Sequence, residues 1–353
     1  MRLLPVLTSP DRVGEFKEYR RYFRIIPDKV LENVYERVFS AKVGTLLRRF
    51  LSYGETLGKL SETSKLKYIK GLERHDRNVL LYLLLSVDKR FWNKRDSIAR
   101  MFGYSDFHSF RTQAIRSFRV TTGLRVSSLR TPHLRPEDYS VFWSFTVGYI
   151  GLVKSGYIMG FHLGDGSIKV RNRGIEVIID SSELRFLKPI VDVLKEYNNS
   201  YRVSRYSRAF YTKPVFRLHS EDTILQSLCF LWGYYYAIRL GYEDLAMGLL
   251  VGMTNADGHL RVRDRKAELV IYQDTERVEE IPLVNEAIVV LHELAYTIGL
   301  EHSLKLAYPD LDLTYRATFR ITRRHVLDRI VKFAMDKGLP IKIPSKIIEK
   351  ILE

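Results

Sequence analysis

Asp165 and Asp257 are the residues whose setting most invites chemistry. Asp165 lies in GFHLGDGSIKVRNR, from Gly160 to Arg173, and Asp257, ninety-two residues later, lies in GMTNADGHLRVRDR, from Gly252 to Arg265. In both, an Asp-Gly turn closes an apolar stretch and opens an alternating basic strand. Small residues recur every fourth position ahead of each turn: Gly156, Gly160 and Gly164, then Gly248, Gly252 and Ala256. Such a stripe lets two helix backbones approach closely, and pairing of these two helices would set the carboxylates side by side. Neighbouring carboxylates repel unless they share a cation or a proton. Magnesium takes oxygen ligands of this kind while keeping waters and substrate phosphate in its other positions. Asp165 and Asp257 are therefore the candidate catalytic and metal-binding residues, Mg²⁺ the expected cofactor, and metal-assisted phosphodiester hydrolysis the chemistry. One Asp-Gly turn is ordinary turn chemistry; two at matched positions, each ahead of a basic strand, point to function.

The strands supply a partner. With a side-chain period of two, Lys169, Arg171 and Arg173 oppose Ile168 and Val170, and Arg261, Arg263 and Arg265 oppose Leu260 and Val262. More arginine and tyrosine follow in YRVSRYSRAFY (201–211), which contains Arg205, and in YRATFRITRR (315–324), which contains Arg316 and Arg320. Four basic, core-backed strands suit a concave surface on duplex DNA, because a two-stranded ribbon fits the major groove and arginine pairs bidentately with guanine there. Double-stranded DNA is the expected partner and RNA the alternative. The formal net charge of +16 agrees, and its excess is concentrated early: residues 1–140 hold 28 Lys+Arg against 15 Asp+Glu. Phe107 to Pro136 carries six arginines and no carboxylate, as a polyanion-binding segment would.

These residues need elements to position them. Each copy reads as an apolar helix (Tyr149–Leu163; Tyr242–Asn255), a basic strand, a second strand (Ile175–Ile179; Glu268–Tyr272), a helix (Ser182–Tyr197; Pro282–Ile298), two further strands and closing helices. The fold class is α+β: two αββαββα units related by a pseudo-twofold axis and forming a DNA-binding saddle. An all-helical N-terminal domain precedes them, with helical apolar spacing at 30–51 and 66–85. The expected boundaries are 1–127 for the helical domain, 128–140 for a linker rich in proline, polar residues and arginine, 141–240 for the first repeat and 241–353 for the second with its C-terminal tail. Within the helical domain, RDSIARMFGYSDFHSFRTQAIRSF (95–118) reads as a helix-turn-helix. Ala99 stands at the crossing, Gly103 in the turn, Ser105 or Asp106 at the cap, and Phe110 and Ile115 toward the core. It resembles the unit of arabinose-operon-type regulators, and its second helix would present His108, Arg111, Gln113 and Arg116 to DNA.

IMGFHLGDGS (158–167) and LVGMTNADGH (250–259) resemble the paired motifs of LAGLIDADG homing endonucleases in their single-chain, two-repeat form, over about residues 143–335. The resemblance implies two four-stranded sheets saddling DNA, with the motif helices at the interface. It also implies that the eighth motif residue, here Asp165 and Asp257, binds divalent metal at the scissile phosphates. Both strands would be cut across the minor groove, leaving staggered ends. The sixth motif position, often aspartate in the family, is Leu163 and Asn255 here. The family also places a lysine or other polar residue to position water, for which Gln273, Arg323 and His219 are the candidates. The implied function is a site-specific, Mg²⁺-dependent double-strand DNA endonuclease, encoded in an intron or an independent reading frame. A non-catalytic DNA-binding regulator on the same saddle and an RNA maturase are the alternatives. A single cysteine, Cys229, excludes a disulfide framework, and no apolar run reaches the roughly 18 residues of a membrane span. A cytoplasmic monomer is expected.

Overall fold

The computed structural model describes residues 39–123, 136–171, 174–206, 214–229, 231–263, 266–277, 281–307 and 314–342. The described part begins with helices. In α1 (Ala41–Lys59), capped by Ser40 accepting from Val43 N at 3.3 Å, Val43, Leu46, Leu47, Phe50, Leu51 and Leu57 are buried along one stripe. The apolar pattern expected over 30–51 thus runs on to Lys59, and its first residues lie outside the described ones. The pattern at 66–85 divides into α2 (Glu62–Lys70) and α3 (Arg74–Val87), because the chain leaves the helix at Gly71. A short α4 (Lys89–Trp92) leads to α5 (Arg95–Met101) and α6 (Phe107–Thr122). Gly103, at φ +88°, makes the turn between these last two, and the Asp106 side chain caps α6 by accepting from Ser109 N at 2.7 Å.

Residues 136–140 of the expected linker form the first turn of α7 (Pro136–Ile150), and 128–135 lie outside the described residues. Pro136 at the first helical position and Glu137 and Asp138 behind it suit a helix start, which explains why a polar, proline-containing stretch continues as helix. From Glu137 to Ile150 every residue of α7 is buried. It packs on α1, where Gly148 meets the Leu51 carbonyl at backbone distance. The N-terminal helices and the later elements accordingly share one hydrophobic core running from Val43 to Ile341.

Gly151, at φ +96°, turns the chain from α7 into α8 (Leu152–Asp165). Next come β1 (Gly166–Arg171), β2 (Gly174–Ser181), α9 (Leu184–Glu196), β3 (Arg202–Tyr206), β4 (Val215–Ser220), α10 (Thr223–Leu228) and α11 (Leu231–Leu240). The order repeats as α12 (Glu243–Asp257), β5 (Gly258–Arg263), β6 (Lys266–Thr275), α13 (Ile281–Thr297), β7 (Ser303–Lys305), β8 (Tyr315–Ile321) and α14 (Arg324–Asp336). The fold is α+β. Its two antiparallel sheets have the orders β1-β2-β4-β3 and β5-β6-β8-β7, with Gly166 opposite Ile179 in one and Gly258 opposite Ile271 in the other. Helices α9 and α14 bury Phe186, Leu187, Ile190, Val193 and Leu194, and Val326, Leu327, Ile330, Val331 and Ala334, at the three-to-four spacing of a core-facing stripe. Among the described residues no helix is long and apolar enough to cross a membrane.

Candidate active site

The site is built by the crossing of α8 and α12. Gly156 and Gly160 lie against the backbone of Leu245 and Leu249, and Gly248 and Gly252 against that of Val153 and Tyr157. No side chain separates the two helices along this stripe. Each helix ends on its aspartate, and each next residue, Gly166 or Gly258, starts a strand. A Cβ at Gly164 would fall 2.5 Å from both Ala256 Cβ and Asp257 Oδ2, so the Asp257 carboxylate sits over the residue just before Asp165. The glycine stripe therefore does bring the two acids together.

Their electrostatics call for a shared proton or cation. Burial pushes the Asp257 carboxyl up to about 8, helped by the charge of Asp165 and, more weakly, of Asp274, against the opposing pull of Lys342 and a hydrogen bond from Gln273. Both acids also stand at helix C-termini, where the partial negative charge of the backbone disfavours an anion and favours a cation. Two converging carboxylates are oxygen donors of the kind a hard divalent ion takes. Among the described residues no group of three or more His, Cys, Asp or Glu side chains gathers that could hold a metal ion.

A pH dependence follows. An acid whose pKa is higher folded than unfolded contributes stability that is complete below its unfolded value, near 4, and is lost as pH rises through about 8. The metal-free protein is therefore expected to melt at lower temperature at pH 8.5 than at pH 6, and Asp257→Asn to flatten that trend. Adding Mg²⁺ near neutral pH should release protons, because the ligand must be ionised. Scanning calorimetry in EDTA checks the first two points; a metal-free profile identical in wild type and variant would remove the buried Asp257 charge from the account.

Of the three expected water-positioning residues, the structure brings one to the acids. Gln273, on β6, donates through Nε2 to Asp257 Oδ2. His219 instead shares a 2.9 Å hydrogen bond with Glu176, and Arg323 donates to Glu301 at 3.0 Å. In the first sheet the register counterpart of Gln273 is Ser181, whose hydroxyl donates to Glu183 O at 2.9 Å. Asn255, at the sixth motif position, is buried and donates to Tyr157 Oη at 3.2 Å and to Pro340 O at 2.7 Å, which explains why an amide rather than an acid stands there.

The basic residues divide between faces. Directly paired antiparallel residues share a face. Lys169, opposite Glu176, is exposed on the same face as Arg217 and His219, away from buried Leu218. In the second sheet Arg316 and Arg320 are exposed opposite the face of buried Ala317, Phe319 and Ile321. Cross-strand carboxylates hold these cations: Arg217 with Asp180 at 2.7 Å, Arg316 with Asp274 at 2.7 Å and Arg320 with Glu268 at 2.9 Å. Arg217 also stacks over Tyr206, and Arg316 over Tyr272, each 4.6 Å from the ring centre. Arg205 pairs in register with Phe216 and so lies on the opposite face from Arg217. Arg171, Arg261 and Arg263 occupy strand positions on β1 and β5, while Arg173 and Arg265 lie outside the described residues. On α6, Arg111 and Arg116 are exposed along with His108, Gln113 is half-buried, and Ala99 and Phe110 are buried as the helical pair requires. Arg217 joins this face without standing in either arginine- and tyrosine-rich segment, although the alternation of VFRLHS places it opposite Phe216 and Leu218. No local pattern in the sequence marks Lys342.

No family model matches the chain, and no curated protein matches it. Similar solved structures include LAGLIDADG proteins. I-DmoI in complex with DNA and Ca is 16% identical, covering 56% of this chain and 97% of its own, with a TM-score of 0.39. The homing endonuclease I-WcaI bound to its DNA recognition sequence is 16% identical, covering 55% and 88%, at a TM-score of 0.37. The N-terminal LAGLIDADG domain of DUF199/WhiA is 12% identical, covering 56% and 86%, at 0.34.

Proposed function

We propose that this chain is a site-specific double-strand DNA endonuclease of the homing type, dependent on Mg²⁺. The observation that carries the reading is the convergence of Asp165 and Asp257 at the ends of a backbone-to-backbone helix pair, each acid leading directly into a strand that carries basic residues. A pseudo-twofold relation between the two sheets would face their open sides to one duplex, forming the saddle, and would set the acids at its centre. When bound, the metal polarises a phosphoryl oxygen and lowers the pKa of a water. Asp165 and Asp257 would hold it, with Gln273 fixing the rotamer of Asp257. Lys169, Arg316 and Arg320, with Arg217, contact the backbone or base edges. Their carboxylate partners keep the guanidinium groups extended over the sheet and can accept from cytosine amino groups. The helix-turn-helix-like pair α5–α6 would lengthen the footprint through Arg111 and Arg116, on a protein acting as a monomer.

The test is cleavage of a randomised duplex library in Mg²⁺ or EDTA, beside an Asp165→Asn, Asp257→Asn double variant. Magnesium-dependent cuts at one sequence, absent in the variant, are expected. Selective retention of duplex without cutting would instead assign a DNA-binding regulator, and preference for RNA in competition would assign a maturase. Binding should also be strongly salt-sensitive: with six to ten phosphate contacts, affinity falls on the order of 10³ to 10⁵ between roughly 50 and 200 mM salt. Filter binding across that range measures it, and a flat response would remove the polyanion partner altogether.

A further inference from the structure

The last turn of α12 holds a segment that arrives from eighty-five residues further along the chain. Asn255 clamps it at two points, Nδ2 donating to Pro340 O and Oδ1 accepting from Lys342 N, both at 2.7 Å. Ile341, between them, is buried in the core. The clamp brings the Lys342 ammonium to the Ala256 carbonyl at 3.0 Å, one residue from Asp257. Ala256 and Asp257 together cover Gly164, which directly precedes Asp165. Lys342 thus stands beside Asp257, at the acid pair. One ammonium hydrogen points at Ala256 O, and an ammonium has two more to give. In the first repeat the corresponding motif position is Leu163, whose side chain has no hydrogen-bonding group to hold a segment in this way.

We propose that Lys342 contacts the DNA phosphate at the Asp165/Asp257 centre and that Asn255 is the positioning residue that delivers it by clamping residues 340–342. The assignment of the anion as a DNA phosphate rests on the endonuclease reading. Lysine suits the task because its compact charge can follow a phosphate while remaining tethered through its stem. It also makes the centre unequal, with a basic residue supplied on the Asp257 side by the C-terminal segment. The competing role is purely structural: a lysine at a helix C-terminus caps a carbonyl and complements the dipole.

Salt dependence separates the two roles without requiring cleavage or a known target. Duplex DNA affinity would be measured in EDTA from about 50 to 200 mM salt for the full chain, for Lys342→Met, Lys342→Arg and Asn255→Leu, with the melting temperature of each. Losing one phosphate contact lowers the slope of log affinity against log salt by about 0.9. Lys342→Met is expected to show that loss and Lys342→Arg to restore the wild-type slope. Asn255→Leu should reproduce the loss while Lys342 itself is intact; if that buried substitution unfolds the chain, the two Lys342 variants decide. An unchanged slope with a lowered melting temperature in Lys342→Met would mark a helix cap alone and overturn the proposal. Wild-type protein with no duplex affinity would overturn the endonuclease reading itself, whereas wild-type binding and cutting with an unaffected Lys342→Met slope would sink only the lysine.

Discussion

Asp165→Asn and Asp257→Asn should each reduce double-strand cleavage by roughly 10²–10³-fold or more, the scale seen when one group stabilising transition-state charge is removed, while duplex affinity in EDTA stays nearly unchanged. Asparagine keeps the shape of aspartate, so the packing over Gly164 survives. What is lost is an anionic ligand, and the amide can turn donor hydrogens toward the cation. The sheet arginines and lysine proposed to meet DNA lie on strands β1, β4, β5 and β8 rather than at the ends of α8 and α12, so that surface would remain. The two variants should differ in one respect. Asp257 is the acid whose carboxyl burial and its neighbour push up to about 8, and Asp257→Asn should therefore stabilise the metal-free protein at alkaline pH while cutting falls by that factor. A variant that is more stable, binds DNA and does not cut cannot be dismissed as misfolded. Strand-specific nicking assays on the site recovered from the library, paired with binding isotherms, provide the measurement. Normal cleavage by either variant would exclude that aspartate from the mechanism.

Local patterns in the sequence carried the acids, the crossing and the strand alternation. The four-residue spacing of Gly156 and Gly160 in α8, and of Gly248 and Gly252 in α12, leaves each helix a stripe without side chains on which another backbone can approach. An Asp-Gly turn into an alternating strand is likewise a local signal, and the structure places the helix end and the strand start at that step in both copies. Other details depend on contacts between distant residues. Lys342 reaches Ala256, and Asn255 reaches Pro340, across some eighty-five positions, with no periodicity to announce them. Arg205 was grouped with the DNA-facing arginines by composition, although the alternation in RVSRY puts it with Val203 on the Phe216 side. A strand with so little burial lets charge sit on either face, which weakens the hydrophobic pattern that normally fixes orientation. The polar, proline-containing stretch 128–140 reads as a linker because the same residue types start helices and interrupt them; burial of α7 from Glu137 to Ile150 is what distinguishes the two.

Gly160→Val should both destabilise the protein and slow cleavage, and the two effects share one cause. A side chain at position 160 would collide with the carbonyl oxygen, carbonyl carbon and Cα of Leu249. All three atoms are backbone, so no rotamer can swing aside and α12 itself must move. Overpacking of this kind costs about 1–3 kcal/mol, and occasionally more. The same displacement separates the helix ends. A misplacement of about 1 Å at the reacting centre can cost on the order of 10²-fold in rate, so cleavage should fall further than the stability loss alone accounts for. Gly71→Ala is the matched control: a Cβ there meets only the Tyr68 and Lys67 carbonyls, at 3.5 and 3.9 Å, which is ordinary contact. It should be within about 0.5 kcal/mol of wild type and cut normally. Calorimetry and single-turnover cleavage on the three proteins, at a temperature where all are folded, separate the terms. Wild-type melting and cleavage in Gly160→Val would show that the helices do not meet at that residue, and the positioning of the acid pair would need another explanation.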